Sequence, residues 1–310
     1  MKTLQARGHR PIRQTALTVA SALTALALVA SGCGSSDSGT SSSAGSTTAA
    51  SGTASTTATS VGVDLTTGVE QASWGSNVTV TYEDGALHYV SDGLPNHERN
   101  AQYALPDGGV VVPDASTATA GDDPTVAQSY EFTIPMTPTK AASPTSTSLG
   151  VIGVMISGAS LFNPYEGDNS TVATASNFSV KGADGSDVWF LDDCAGHPTP
   201  MGQYHYHGLP TCVTAQVDEA NGPSHIIGIA FDGYPIYGDR DIDGHPVTAD
   251  DLDACNGITS PTPEFPDGVY HYVLLDVADS ASSIRCFTGV VDDALAAAAM
   301  PGMGGPPPGP

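Results

Sequence analysis

The segment CAGHPTPMGQYHYHGLPTC, residues 194–212, sets two histidines and two tyrosines in strict alternation between two cysteines. Side chains alternate between the two faces of a β-strand, so His205 and His207 share one face, about 7 Å apart. Tyr204 and Tyr206 occupy the opposite face, where their rings are expected to pack into a core. The pattern predicts a strand with a polar site on one side and a packed core on the other.

A second Tyr-His-Tyr tripeptide, at residues 270–272, also lies between two cysteines, Cys255 and Cys286. Because each tripeptide has its own pair of cysteines, we expect local disulfides, Cys194–Cys212 and Cys255–Cys286. An even set of cysteines in an exported chain is typical of disulfides. The cysteines show no C-x-x-C spacing, which argues against a cysteine-rich zinc site.

The remaining apolar segments read as short strands that Gly- and Pro-rich loops separate. They are rich in β-branched and aromatic residues, and only the region near 250–255 suggests a helix. The sequence therefore predicts an all-β fold, mainly strands with long loops, as a β-sandwich or an irregular barrel that two disulfides stabilise. The predicted strands are 77–82, 86–90, 130–134, 149–156, 187–191, 225–231 and 269–275.

The N-terminal residues 1–32 are typical of a lipoprotein signal peptide. Four basic residues precede a short apolar run, and Cys33 follows it. Cleavage before Cys33 would leave a cysteine for lipidation, and two or more acyl chains anchor a protein stably to a membrane. Residues 33–60 are almost entirely Ser, Thr, Gly and Ala, which predicts a flexible tether. We therefore expect an exported lipoprotein, at the cell surface or in the periplasm, with the membrane as its partner through Cys33.

One β-rich domain is expected over residues 61–291, followed by a disordered Ala/Gly/Pro tail over 292–310. A short Ala-rich helix at 292–300 is the alternative for the start of that tail. The chain of 310 residues has 33 acidic and nine basic residues and a formal net charge of −24. This excess of acid repels phosphate backbones, so we expect no nucleic-acid partner, whereas a metal cation suits the charge.

The histidines supply the candidate metal ligands. His205 and His207 can direct their Nε2 atoms to one ion, and several neutral imidazoles suit copper or zinc. A proton-transfer or ligand-binding pair and a purely structural pair are the alternatives. Further ligands are predicted among His197, His271 and His97. Residues predicted to line the site or orient an imidazole are His225, Asp232, Tyr204 and Tyr206.

An acidic loop, DRDIDGHPVTAD at residues 239–250, is a second candidate site. Its spacing fits a calcium-binding loop, with Gly244 at the sharp turn. A solvated acidic turn is the alternative, because Asp is common in this chain. The candidate calcium ligands are Asp239, Asp241, Asp243 and Asp250.

Seven motifs occur in a fixed order: SDGLPNH (91–97), LFNPYE (161–166), DCAGHP (193–198), GQYHYH (202–207), GIAFDGYPIYG (228–238), LDACNG (252–257) and YHY (270–272). By these motifs the chain resembles the YHYH-domain family of exported bacterial proteins over roughly residues 80–290. The resemblance implies structural cysteines and a shared polar site, but no particular reaction. One departure is Val273, where the family often has a further histidine, so the site is smaller here or uses His225. The implied site residues are His97, Asn163, His197, His205, His207, Asp232 and His271.

These observations predict an extracytoplasmic, lipid-anchored protein that binds copper or zinc through a histidine cluster. One alternative is an extracellular hydrolase, in which the histidines act with Asp232 in acid–base or metal-assisted chemistry. Another is a non-catalytic adhesion or polymer-binding module with a rigid core of histidines and tyrosines. The sequence does not specify whether a substrate would be a small molecule or a polymer.

Overall fold

The structure, a computed structural model, describes residues 62–298. The predicted signal peptide (1–32), the tether (33–60) with Cys33, and residues 299–310 of the tail lie outside this range. Within it strands predominate and helices are short, which confirms the all-β prediction. The helices are α1 Thr66–Val69, α2 Thr211–Val217 and α3 Asp293–Ala298, with 3₁₀ turns at Ala249–Asp251 and Ser280–Ser282.

Most strands are short, as expected for a chain so often interrupted by Gly and Pro. In chain order they are β1 Val78–Glu83, β2 Ala86–Ser91, β3 Gln102–Pro106, β4 Ala118–Asp122, β5 Tyr130–Pro135, β6 Lys140–Ser146, β7 Gly153–Met155, β8 Ser160–Leu161, β9 Ser179–Lys181, β10 Asp187–Trp189, β11 Gly196–Pro198, β12 Tyr204–Tyr206, β13 Ile226–Ala230, β14 Pro235–Tyr237, β15 Gly257–Ser260, β16 Val269–Val273 and β17 Cys286–Gly289.

The largest sheet has eight strands in the order β11-β12-β8-β7-β13-β14-β16-β15 and curls into half a barrel. A three-stranded sheet, β1-β2-β5, and three two-stranded ribbons accompany it: β3-β4, β9-β10 and β6-β17. The predicted hairpin at residues 77–90 is β1-β2. The main core contains residues from both the large sheet and the three-stranded sheet, among them Tyr89, Phe132, Tyr206 and Tyr272.

The large sheet consists of two halves with the same topology. The N-terminal half-sheet is β7, β8, β11 and β12, and the C-terminal half-sheet is β13, β14, β15 and β16. In the N-terminal half-sheet β7 pairs antiparallel with β8, β8 pairs parallel with β12, and β12 pairs antiparallel with β11. The C-terminal half-sheet repeats this pattern: β13 pairs antiparallel with β14, β14 pairs parallel with β16, and β16 pairs antiparallel with β15. The halves join where β7 pairs antiparallel with β13, so they are related by a pseudo-two-fold axis.

The sequence repeats along with the topology. GVMISGASLF (153–162) aligns without a gap on GIAFDGYPIY (228–237), with glycines at the same places. Reciprocal hydrogen bonds join the halves, from Ile156 N to Ile227 O and from Phe231 N to Ile152 O. The hairpin turns place Gly158 and Gly233 at φ of 101° and 89°, a conformation that glycine adopts without strain.

Both predicted disulfides, Cys194–Cys212 and Cys255–Cys286, are present. Each bridge begins two residues before the third strand of one half-sheet, β11 or β15, and ends outside the large sheet, in α2 or β17. Within the described residues no helix is long and apolar enough to cross a membrane.

Three details correct the sequence prediction. Helix α2 was not predicted; it follows Pro210 and buries Val213, with Val217 one turn later against the core. The region near 250–255 forms only a 3₁₀ turn. Residues 293–298 form α3, which favours the alternative of a short helix at 292–300 over a disordered start of the tail, and the side chain of Leu295 is buried in the core.

Candidate metal centre

Three histidines converge on the face of the N-terminal half-sheet opposite the tyrosines. The antiparallel register of β11 and β12 places His197 beside His205, and strand alternation places His207 on the same face. The Nε2 atom of His207 lies 2.9 Å from that of His205 and 3.3 Å from that of His197. All three side chains are buried, and their ligand nitrogens lie within 4.8 Å of one another.

Backbone carbonyls fix the tautomers of two of these rings. His205 Nδ1 donates to Gln203 O at 3.1 Å, and His207 Nδ1 donates to Asn163 O at 2.7 Å. A carbonyl oxygen can only accept, so both Nδ1 atoms carry a proton. The Nε2 atoms of the neutral rings therefore face each other with lone pairs.

Burial keeps these imidazoles neutral. It lowers the pKa of His207 to about 4 and lowers the pKa values of His197 and His205 well below the usual range for histidine. For His197 and His205, the charge on neighbouring histidines lowers the pKa further. Neutral imidazole is the form that binds a metal, so the cluster is already in its ligating state at neutral pH.

Two phenylalanines that were not predicted as site residues hold the rings in place. Phe162 stacks on His205 with ring centroids 3.8 Å apart, and Phe190 packs against His197 at 4.3 Å. The sequence contained indications of both residues, because Phe162 lies in the LFNPYE motif and Phe190 lies in the predicted strand 187–191. Their rings restrict rotation of the imidazoles and exclude water from one side of the cluster.

A family model described as YHYH protein matches residues 131–246 and 241–289, which together span just over half of the chain. The chain belongs to the YHYH family. Comparisons with curated proteins and with solved structures gave no match. The matched residues contain both half-sheets and the whole histidine cluster, so the cluster lies within the part of the chain that defines the family.

The tyrosines of the YHYH motif point away from the metal ligands. Tyr204 donates to Asp192 Oδ2 at 2.7 Å, and the Tyr206 hydroxyl bonds to Ser157 Oγ at 2.9 Å. Both rings are fully buried. As predicted, the tyrosines lie in the core, and the histidines lie on the opposite face of the strand.

His97 does not join the cluster, contrary to prediction. Its Nε2 atom bonds to the Tyr206 hydroxyl at 2.7 Å, and Tyr206 lies on the opposite face of the strand from the ligands. Its Nδ1 lies 3.6 Å from Cys194 Sγ, but that sulfur is bonded to Cys212 and is not a thiolate ligand. His97 therefore supports the core face of the YHYH strand.

His271 is also separate from the cluster, because it belongs to the C-terminal half-sheet. There it occupies the place of His205 and makes the same bond, from Nδ1 to Val269 O at 3.0 Å. The register pairs it with Ile258, as His205 pairs with His197, and Val273 stands in the place of His207. Two of the three equivalent positions are thus apolar, and among residues 62–298 no histidine cluster that could hold an ion includes His271.

Of three residues predicted to line the site or orient an imidazole, Asn163 orients a clustered histidine, and Asp232 and His225 bond elsewhere. Asn163 contributes its carbonyl, which fixes His207, while its side-chain amide bonds to the loop at Ser148 O. Asp232 accepts from Tyr272 in the C-terminal half-sheet, and His225 bonds to Glu264 at 2.8 Å. None of the three contributes a side-chain ligand to the cluster.

The predicted calcium loop is an acidic turn. The Asp241 carboxylate accepts from the backbone N–H groups of Asp243 and His245. Among the described residues, the groups that converge as metal ligands do not include any of the four predicted calcium ligands. The Asp241 carboxylate is thus hydrogen-bonded within the loop itself. The four predicted calcium ligands do not converge on a common point: Asp239, Asp241, Asp243 and Asp250.

Proposed function

We propose that this YHYH protein is an exported, lipid-anchored metal-binding protein that holds copper or zinc with His197, His205 and His207. The observation that carries the proposal is the pair of opposed Nε2 lone pairs, 2.9 Å apart, on His205 and His207. Without a positive centre between them the two lone pairs repel each other. A proton could bridge them only if one ring were an imidazolium, which burial opposes.

The distances suit a shared metal ion. Metal–nitrogen bonds are about 2.0–2.1 Å, so two nitrogens on one ion at ordinary coordination angles lie roughly 2.9–3.4 Å apart. The observed separations of 2.9 and 3.3 Å fall in that interval. Neutral imidazoles with a fixed second nitrogen are typical ligands of zinc and copper, and the carbonyl partners raise their basicity.

The proposed location outside the cytoplasm rests on the sequence. The basic and apolar start, Cys33 and the Ser- and Thr-rich tether form a pattern typical of lipoproteins, and two disulfides suit an oxidising compartment. Mass spectrometry of the mature N-terminus tests this part. An acylated Cys33 is expected, and an unmodified mature N-terminus elsewhere would contradict it.

Metal analysis of the purified protein tests the metal site. After exposure to copper or zinc and removal of excess ion, the wild type is expected to retain one equivalent. The His205→Ala/His207→Ala variant is expected to retain none. His271→Ala serves as the matched control, because it removes the equivalent histidine from the C-terminal half-sheet, and it is expected to bind like the wild type. Absence of retained metal from the wild type would refute the proposal.

A further inference from the structure

The three histidines form one wall of a cavity of about 310 Å³. Phe162 and Phe190 continue that wall, and the rest of the lining is largely apolar. Cavities of this size accommodate small organic molecules. Other apolar lining residues include Pro106, Val110, Val111, Pro113, Leu149 and Pro198.

One carboxyl group, that of Glu166, lines the same cavity. Glu166 is only 6% exposed, and its carboxylate accepts a single, long hydrogen bond, from Ser176 Oγ at 3.5 Å. No Lys or Arg lines the cavity with it. Buried carboxylates normally have strong partners, because leaving them unpaired costs free energy. Glu166 therefore has acceptor capacity that the described residues leave unused.

The position of this acceptor, in the same cavity as the histidine cluster, points to a ligand. We propose that the cavity binds small molecules with three features: an atom that ligates the metal, an N–H or O–H group that donates to Glu166, and an apolar body. Azoles and phenols have this chemistry. The inference rests on the metal site proposed above, since the ion supplies the first contact. Glu166 and the apolar wall supply the other two.

Burial raises the pKa of Glu166 to about 7, so above that pH the group is a carboxylate and a strong acceptor. A hydrogen bond to an ionised group is strong enough to change affinity at least about tenfold. A ligand that contacts the metal but has no N–H or O–H donor for Glu166 should lack this increase in affinity.

Imidazole and 1-methylimidazole form the matched probe pair. Both ligate a metal through the unsubstituted nitrogen, but only imidazole keeps an N–H group for Glu166. We would titrate each probe into the copper-loaded protein at pH 8 and follow the visible spectrum of the copper. The ratio of the two affinities is measured for the wild type, for Glu166→Met and for Glu219→Met, which replaces an exposed glutamate elsewhere.

The preference for imidazole is expected to fall at least about tenfold in Glu166→Met and to stay unchanged in Glu219→Met. A second variant, Val110→Trp, fills the cavity from a loop and should keep the metal while both probes lose affinity. An unchanged preference in Glu166→Met, or unchanged probe affinities in Val110→Trp, would overturn the ligand site. Metal content is measured first. A wild type that retains neither copper nor zinc would refute the metal site itself, so the two failures are distinguishable.

Discussion

Tyr206 and Tyr272 occupy equivalent places in the two half-sheets, and each hydroxyl bonds to the same position of the preceding hairpin. That position is Ser157 in the N-terminal half-sheet and Asp232 in the C-terminal one. The geometry is retained although one partner is a neutral hydroxyl and the other is a buried acid. The comparison shows that the scaffold tolerates changes of chemistry at a fixed contact.

A second pair of contacts is repeated with identical residues. Tyr204 donates to Asp192, and Tyr270 donates to Asp253 in the other half. Each aspartate also accepts backbone N–H groups from the following turn, which carries the cysteine. A side chain on the glycine of that turn would collide with the tyrosine hydroxyl in both halves. These tyrosines, aspartates and glycines are therefore scaffold residues.

The proposed metal ligands differ between the halves while the scaffold does not. His197 and His207 correspond to Ile258 and Val273, and only His205 has a histidine counterpart, His271. The C-terminal half-sheet keeps its fold with two ligand positions apolar. The proposed ligands and the scaffold residues are therefore different residues, so metal binding and folding can be tested separately.

The largest contrast is expected from alanine at the third ligand position. His207→Ala should weaken copper or zinc binding more than about a hundredfold, because losing a ligand costs more than losing one of its hydrogen-bond partners. Val273→Ala makes the matched change in the other half and should leave the metal affinity unchanged. Competition titration with a chelator measures the metal dissociation constant of each variant. Equal constants for the two variants would contradict the proposed difference between the halves.

The reverse exchange should create a site. Ile258→His/Val273→His places three histidines in the C-terminal half-sheet, where the nearby Glu264 carboxylate favours a cation. The variant is expected to bind a second equivalent of metal, more weakly than the first. Metal content per chain is the measurement, and a stoichiometry of one in a folded variant would show that the halves differ by more than these residues.

The disulfides should have similar effects on stability but different effects on the metal. Replacing both cysteines by serine should cost about 3 kcal/mol for Cys194–Cys212 and about 4 kcal/mol for Cys255–Cys286, whose bridged residues are 18 and 31 positions apart. Only the first bridge encloses the three ligands, so only its loss should lower metal affinity. Urea unfolding combined with metal titration separates the two effects.

The smallest expected effect is the share of the pH dependence of stability that Asp232, in the C-terminal half-sheet, contributes. Burial raises the pKa of Asp232 to about 6, against about 4 in the unfolded chain. The folded state then holds more protons in this interval, so stability falls as the pH rises through it, by at most about 1.4 kcal/mol per unit. Asp232→Asn should remove this slope, whereas Ser157→Ala should not; equal slopes in wild type and Asp232→Asn would contradict the assignment.

Much of the scaffold was predictable because its signals are local. Alternation placed His205 and His207 on one face, and the repeated cysteine pattern predicted both disulfides. Helix α2 was missed although Val213 and Val217 are four residues apart, because its Thr and Val residues have low helix propensity and packing stabilises the helix instead.

The composition of the site depended on long-range pairing. His197 joins the cluster through the register of β11 with β12, whereas His271 has the same local sequence as His205 but lies in the other half-sheet. Apart from Val273 in the place of His207, no local pattern distinguishes these two outcomes. The same holds for His97, whose partner Tyr206 is 109 residues away in the chain.

Anomalous diffraction from crystals of the metal-loaded protein tests the central claim most directly. Data collected on either side of the copper or zinc absorption edge would locate the ion without assumptions about its ligands. We expect one strong peak about 2.0–2.1 Å from the Nε2 atoms of His197, His205 and His207, and none beside His271. A peak beside His271 or in the acidic turn at 239–250, with none at the three histidines, would contradict the account.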